Sequence, residues 1–345
     1  MARGINRRDA IKTVAGAGLG FASVVRMPAQ SLDPIPTWKR ELRQLAPNVY
    51  AYVLGGGPGQ LAQGVSNAGL IVADDHLLAF DSTGAPLHAK GFLAAARQAA
   101  PNKQFQRLIL THHHGDHIWG LPFFPKMEIV SHEYCRKAML AMDVPPGAVW
   151  EKREGFAEGG EPRKIIAPDV TITGRETLYV GDLRLEVIPM APAHTFGDLM
   201  IYLPQHKILF AGDLGFFWAS PFLNNGVPSK WIEACDKILD MDVDVIVPGH
   251  GPIGGKRDLA ATRDYIRYFK GEARLRYNAG MSVGRACADI KLGRFASWIG
   301  ADERMPMNIT RLYAEFAGTL TPDFDAVSVA RAAEEYAAVR KSLGR

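Results

Sequence analysis

Short apolar runs bounded by Gly, Pro, Asp or Asn fill the chain from residue 49 to about 247, which is how strands ended by turn residues read. The runs predict strands at 49–54, 68–73, 76–81, 107–111, 127–131, 183–189, 199–203, 207–211 and 243–247. Apolar positions at helical spacing predict helices at 86–100, 133–142 and 229–239. Asp74-Asp75, between two apolar runs, marks a hairpin turn. Strands and helices interleave in two successive sets, which predicts an α/β fold with two sheets in contact and helices outside.

After Pro252 the pattern changes. Residues 257–270, 282–292, 306–317 and 325–342 carry helical spacing, and no strand pattern follows. A domain over 40–255 is therefore expected to be followed by a helical extension over 256–345, either packed on it or mediating formation of a homo-oligomer. Residues 145–162, rich in Gly, Pro and Glu, read as an inserted surface loop.

Residues 1–29 stand apart. Arg7-Arg8 precede the weakly apolar run 13–25, which falls short of the ~20 residues needed to span a bilayer. A charged start followed by a short apolar stretch reads as a secretory signal, and the adjacent arginines resemble a twin-arginine leader. The expected location is the periplasm. Met27 departs from the small-residue rule for cleavage near Ala29. Arg3, Arg7, Arg8, Lys12 and Arg26 against Asp9 account for the whole formal charge of +4. The rest of the chain is neutral, so charge gives no support to a nucleic-acid partner.

The 345 residues are 47% hydrophobic and 22% charged, values that exclude a disordered, collagenous or multi-spanning chain and leave ample material for a core. No integral membrane span is expected. Cys135, Cys235 and Cys287 are odd in number and form no CxxC pair, so no disulfide framework or chemistry is assigned to them; Cys135 and Cys235, at apolar spacing within expected helices, read as small buried hydrophobes.

The chemistry is concentrated in Thr111-His112-His113-His114-Gly115-Asp116-His117, directly after an apolar run. Four imidazoles and a carboxylate crowded at a strand end are costly to desolvate without a purpose, and they are the ligands a borderline cation such as Zn²⁺ prefers. In a tight loop His112 and His114 can project one way, and Asp116 and His117 towards a neighbouring position, so two ions can be fed. His194, Asp213 and His250 each follow or close an apolar run beside a nearby Gly. Singly, each reads as a structural histidine or a turn carboxylate; in this order they reinforce the cluster.

The ordered set Asp81, H-x-H-x-D-H at 112–117, His194, Asp213 and His250 resembles the metallo-β-lactamase superfamily over roughly residues 45–255. The resemblance implies a four-layer αβ/βα sandwich with the site along one edge between the sheets. It implies two zinc ions per chain, one held by His112, His114 and His194 and the other by Asp116, His117 and His250, with Asp213 and a hydroxide bridging them. Asp81 would order the ligand loop without binding metal. Asp116 would also carry the proton as the catalytic residue, and the substrate would be a small molecule. A bridging Asp resembles the glyoxalase II and lactonase branch, since true β-lactamases of the superfamily usually place Cys or Ser where Asp213 stands. The competing readings are a mononuclear iron persulfide dioxygenase, which shares H-x-H-x-D-H, a true β-lactamase, and a non-catalytic periplasmic metal-binding module. His114 stands where flavodiiron reductases carry Glu. The segment 54–64 is a candidate loop near the site, and Trp119, Phe216, Phe217 and Trp218 either line a pocket or belong to the core. His113, His76, His88, His132 and His206 are expected to be structural.

Overall fold

The computed structural model describes residues 34–58, 66–153 and 156–344. The leader and most of the 54–64 segment lie outside the described residues. A seven-stranded sheet runs in the order β1 (Glu41–Ala46), β2 (Val49–Val53), β3 (Ala68–Val72), β4 (His76–Phe80), β5 (Gln104–Ile109), β6 (Glu128–His132) and β7 (Val170–Ile172). Its first four strands are antiparallel and its last four parallel. The second sheet runs β12 (Val245–His250), β11 (Ile208–Phe216), β10 (Leu199–Leu203), β9 (Leu183–Pro189) and β8 (Glu176–Val180), with only the β11–β12 pair parallel.

Burial explains which strands form apolar runs. Every residue of β3, β10 and β11 is buried, because their sheets are covered on both faces and no polar alternation is needed. Between the sheets, Val49, Ala51, Ile71, Leu78, Phe80 and Ile109 pack with Leu185, Val187, Leu199, Ile201 and Phe210. Outside the first sheet, α1 (Pro86–Ala99) lays Phe92 and Ala96 on Leu70, Leu77 and Leu108. Fully burying one such Phe contributes about 2–3 kcal/mol. Outside the second sheet lie α4 (Pro228–Asp240) and the C-terminal helices. The result is the four-layer α/β sandwich.

The extension comprises α5 (Lys256–Asn278), α6 (Val283–Asp289), α7 (Met305–Ala317) and α8 (Ala326–Ser342). Tyr265, Phe269, Ile309 and Leu312 share one core with Leu209, Ala211 and Trp231, so these helices thicken the outer layer of the second sheet. Besides α1, strands of the first sheet are connected by α2 (Gly115–Ile118), a single turn, and α3 (Glu133–Leu140). Among the described residues no helix is long and apolar enough to cross a membrane.

Three strands were not apparent in the apolar pattern: β1, β7 and β8. Each is the edge of its sheet and half exposed, and polar residues suit an unpaired edge. The 207–211 run extends to Phe216, because a bulge at Gly212 carries the strand past a kink without ending it. The 145–162 segment is a stapled loop: Trp150 N–H donates to Glu161 O, and Gly160 N–H to Trp150 O.

Candidate metal centre

All seven sequence-derived donors converge at one end of the two sheets. His112 and His114 lie in the turn after β5, and Asp116 and His117 on the single turn of α2. His194 comes from the loop between β9 and β10, Asp213 from β11 and His250 from the last position of β12. His112, His114, His194 and Asp213 form one group and Asp116, His117 and His250 a second, with one donor atom per residue within 4.8 Å of the others in its group.

Asp213 sits between the groups. Its Oδ2 lies 3.2 Å from His194 Nε2, 3.6 Å from His112 Nε2 and 3.3 Å from His250 Nε2, while Oδ1 is 3.0 Å from His117 Nε2. Its placement depends on two glycines. Gly212 adopts φ +52°, which turns the strand, and a Cβ there would press on Thr111. A Cβ at Gly249 would overlap Asp213 Oδ1.

Asp81 ends β4 with φ +57°, a backbone conformation that Asp tolerates better than most residues. It accepts from Thr111 N–H (2.7 Å) and Thr111 Oγ1 (2.8 Å) and pairs with His117 Nδ1 at 2.7 Å. Thr111 Oγ1 also meets His112 Nδ1 at 3.1 Å. Both imidazoles are thereby held with Nε2 facing the centre. Phe216 stacks on His250 at 4.6 Å and Trp231 packs edge-on to His194 at 4.8 Å. Asp198 accepts from Thr195 N–H and Thr195 Oγ1, bracing the His194 loop, and its burial raises its carboxyl to about 6.

The electrostatics divide the two groups. Burial, with His117 and other imidazoles nearby, pushes His112 well below the usual histidine range, and burial with His194 brings His114 down to about 4. Burial also opposes charge on His117 and His250, but there the carboxylates win: Asp213, Asp81 and Asp116 raise His117 well above its ordinary value, and Asp213 and Asp116 carry His250 up to about 9. Burial opposes the charges of Asp116 and Asp213 too, and the surrounding imidazoles hold both carboxyls below the carboxylate range.

The donor set fits metal. His112 Nε2, His117 Nε2 and Asp213 Oδ1 are buried with no partner in hydrogen-bond geometry, although His117 Nε2 and Asp213 Oδ1 lie 3.0 Å apart. Buried polar atoms without such partners are costly, and atoms that converge this closely are disposed to share a cation. Burial, imidazole and carboxylate are also the chemistry of zinc sites.

The metallo-beta-lactamase superfamily model matches residues 61–250. The chain belongs to that superfamily. Among other relatives, the metallo-beta-lactamase type 2 of Bacillus cereus is 25% identical over 170 residues, 48% of this chain and 59% of that protein. An acyl-coenzyme A thioesterase of Gallus gallus is 27% identical over 197 residues, covering 52% and 68%. The chain thus spans less than two thirds of the Bacillus cereus protein. In fold, this metallo-beta-lactamase superfamily member is similar to a metallo-beta-lactamase from Pontibacter korlensis, with TM-score 0.51 at 20% identity over 66% of this chain and 98% of that one. It is also similar to the sec-alkylsulfatase of a Pseudomonas species, with TM-score 0.56 at 17% identity over 80% and 50%.

Other residues of this superfamily member support the centre without any mark in the sequence. Asn67 Nδ2 donates to Pro248 O and Gly251 O, holding the turn that carries His250. Ser82 N–H and Oγ both donate to His117 O, and Ser66 Oγ donates to Asp116 O. Asn225 Oδ1 is 3.0 Å from His114 Nε2. Phe216 and Phe217 are fully buried and belong to the core, whereas Trp119 is partly exposed and stacks under Arg163. His113 is buried against Tyr134, and burial pushes it down to about 2. His132 caps α3 by accepting from Tyr134 N–H. The three cysteines are free and buried.

Proposed function

We propose that this protein is a dinuclear zinc hydrolase that cleaves an ester, thioester, lactone or related bond in a small molecule. The observation that carries the reading is the place of Asp213, within 3.6 Å of imidazole nitrogens from both donor groups. His112, His114 and His194 would hold one ion, Asp116, His117 and His250 the other, and Asp213 would bridge them. Bound there, two such cations supply Lewis-acid polarisation and water ionised at neutral pH.

The chain's own groups divide the remaining work. Asp116 has the more exposed side chain of the two acidic donors, 20% against 3% for Asp213, and its Oδ2 lies 3.1 Å from His250 Nε2. Ionised at neutral pH, it is the group to take the proton from the attacking water and return it to the leaving group. Asp81 and Asn67 hold ligands in place. Phe216 and Trp231 present apolar faces to His250 and His194 and keep bulk water from those rings.

The names of the relatives support the bond class: beta-lactamase, acyl-coenzyme A thioesterase, hydroxyacylglutathione hydrolase and alkylsulfatase are all hydrolases. The test is metal analysis of the purified chain together with a panel of lactones, thioesters, β-lactams and sulfate esters. Two zinc ions per chain and turnover of one panel class, lost on chelation and restored by zinc, is the expected result. A single iron with no second ion at saturating zinc would replace this reading with the dioxygenase one.

We also propose export to the periplasm through the Arg7-Arg8 leader. Replacing both by Lys, which lacks the guanidinium fork, should leave the precursor inside the cell; normal delivery of the double variant would overturn it.

A further inference from the structure

We infer that Asn225 is a positioning residue that fixes the tautomer of His114, and that helix α7 of the C-terminal extension holds it in place. The inference rests on the metal-centre reading above and adds a support from outside the ligand motifs.

His114 is turned differently from its neighbours. His112 and His117 face the centre with Nε2, and their Nδ1 atoms meet Thr111 and Asp81. In His114 it is Nδ1 that faces inward, 2.9 Å from His194 Nε2, and Nε2 that points out, 3.0 Å from Asn225 Oδ1. The orientation of the Asn225 amide is settled by its other contact. Asn225 Nδ2 donates to Pro322 O at 2.8 Å, and a carbonyl can only accept, so the oxygen must face His114. An amide oxygen likewise only accepts. The proton of a neutral His114 is therefore drawn to Nε2, which leaves the Nδ1 lone pair for a cation.

Asn225 is 8% exposed and sits in the loop between β11 and α4. Arg304, the N-cap of α7, and Asn308 and Arg311 within the helix grip that loop by its backbone. Arg304 Nη1 donates to Ser220 O. Asn308 accepts from Leu223 N–H at 3.0 Å and donates to Pro221 O at 2.9 Å. Arg311 Nε donates to Gly226 O at 2.7 Å, and its Nη2 to Thr321 O at 2.7 Å, one residue before Pro322. Residues 304, 308 and 311 share one helix face, and all three are buried. On the far side the loop abuts the His194 turn, where Val227 N–H donates to Ala193 O at 2.8 Å. The same α7 face and the loop after it thus fix both contacts of the Asn225 amide.

The test uses the full chain. In the metal-free protein, long-range proton–nitrogen NMR correlations of the imidazoles should show His114 protonated at Nε2. Asn225→Ala should mix its tautomers, and Asn225→Asp, which keeps an acceptor, should retain the Nε2–H form. Zinc titration against a chelator should show one of the two ions bound about 10–100-fold more weakly in Asn225→Ala, with the other unchanged and affinity largely restored in Asn225→Asp. Arg311→Met should weaken the same ion. An unaltered tautomer and affinity in Asn225→Ala, or loss of the Nε2–H form in Asn225→Asp, would overturn the role of Asn225. Wild-type affinity in folded Arg311→Met would overturn that of α7. A wild-type chain with the Nε2–H tautomer that binds no zinc would instead defeat the hydrolase reading, so the two failures are distinct.

Discussion

Asp81 and His117 meet at 2.7 Å, Oδ2 to Nδ1, with both side chains almost wholly buried. The carboxylate also takes the Thr111 N–H and hydroxyl. One acid thus closes the end of β4 onto the ligand turn and sets which nitrogen of His117 faces the centre. Asp81→Ala would leave those donors unpaired in the interior. The chain should lose about 3 kcal/mol in denaturant unfolding and bind metal about 10–100-fold more weakly. Unchanged affinity in chelator competition would remove Asp81 from the support of the site.

Gly249→Ala is a sterically defined test of Asp213. The new Cβ would collide with Asp213 Oδ1, so the carboxylate must move out of the space between the two donor groups. Metal content of the purified variant should fall below that of wild type, with the secondary structure intact by circular dichroism. Gly160→Ala, where a Cβ meets nothing within 4 Å but φ is +83°, controls for backbone strain and should leave metal content unchanged.

Asp116→Asn separates proton transfer from binding. Asn cannot take up a proton, so kcat on the best panel substrate should fall about 10²–10⁴-fold, and zinc at the His117–His250 group should bind more weakly. Asp213→Ser should weaken both ions without creating strong β-lactam turnover. Full turnover by an Asp116→Asn protein that retains both metals would require another proton carrier.

The metal-free chain should be most stable near pH 6.5. His250 is raised from 6.5 to about 9, so the stability it contributes is present below 6.5 and lost as the pH climbs through 9. His114 is lowered from 6.5 to about 4, so unfolding is favoured as the pH drops from 6.5 towards 4. Thermal unfolding after chelation, scanned over pH, should give this dome. A flat profile would show that the charges within the centre are not arranged as described.

Burial pushes the thiols of Cys135, Cys235 and Cys287 up, and none has a disulfide partner. All three should resist alkylation at neutral pH in the folded chain and react fully in denaturant. Fast labelling of one of them under native conditions would contradict its packing.

The sequence pattern was informative where burial is two-sided. β10 and β11 are apolar on both faces, so their runs were plain, whereas β1, with Glu41, Arg43 and Gln44 on an exposed edge, carried no such signal. Helix α5 runs on to Asn278, past the expected end at 270, through a polar stretch whose register only the helix packing reveals. The seven candidate donors stood out because four imidazoles and a carboxylate crowd into 112–117 after one apolar run, and His194, Asp213 and His250, unremarkable singly, follow them in order. Asn225 was not. Its amide differs in no way from any surface Asn, and its partner lies 111 residues away. Asn67 and Ser82 were hidden for the same reason.

The donors of the centre come from both sheets: the β5 turn on one side, and β11, β12 and the β9–β10 loop on the other. Neither sheet alone carries a complete group of ligands. A bound ion is therefore a clasp across the seam of the sandwich, tightening the closed arrangement over every open one by mass action. Occupancy becomes a quality check on assembly, since a chain whose halves have not met has nowhere to hold the metal and nothing with which to work.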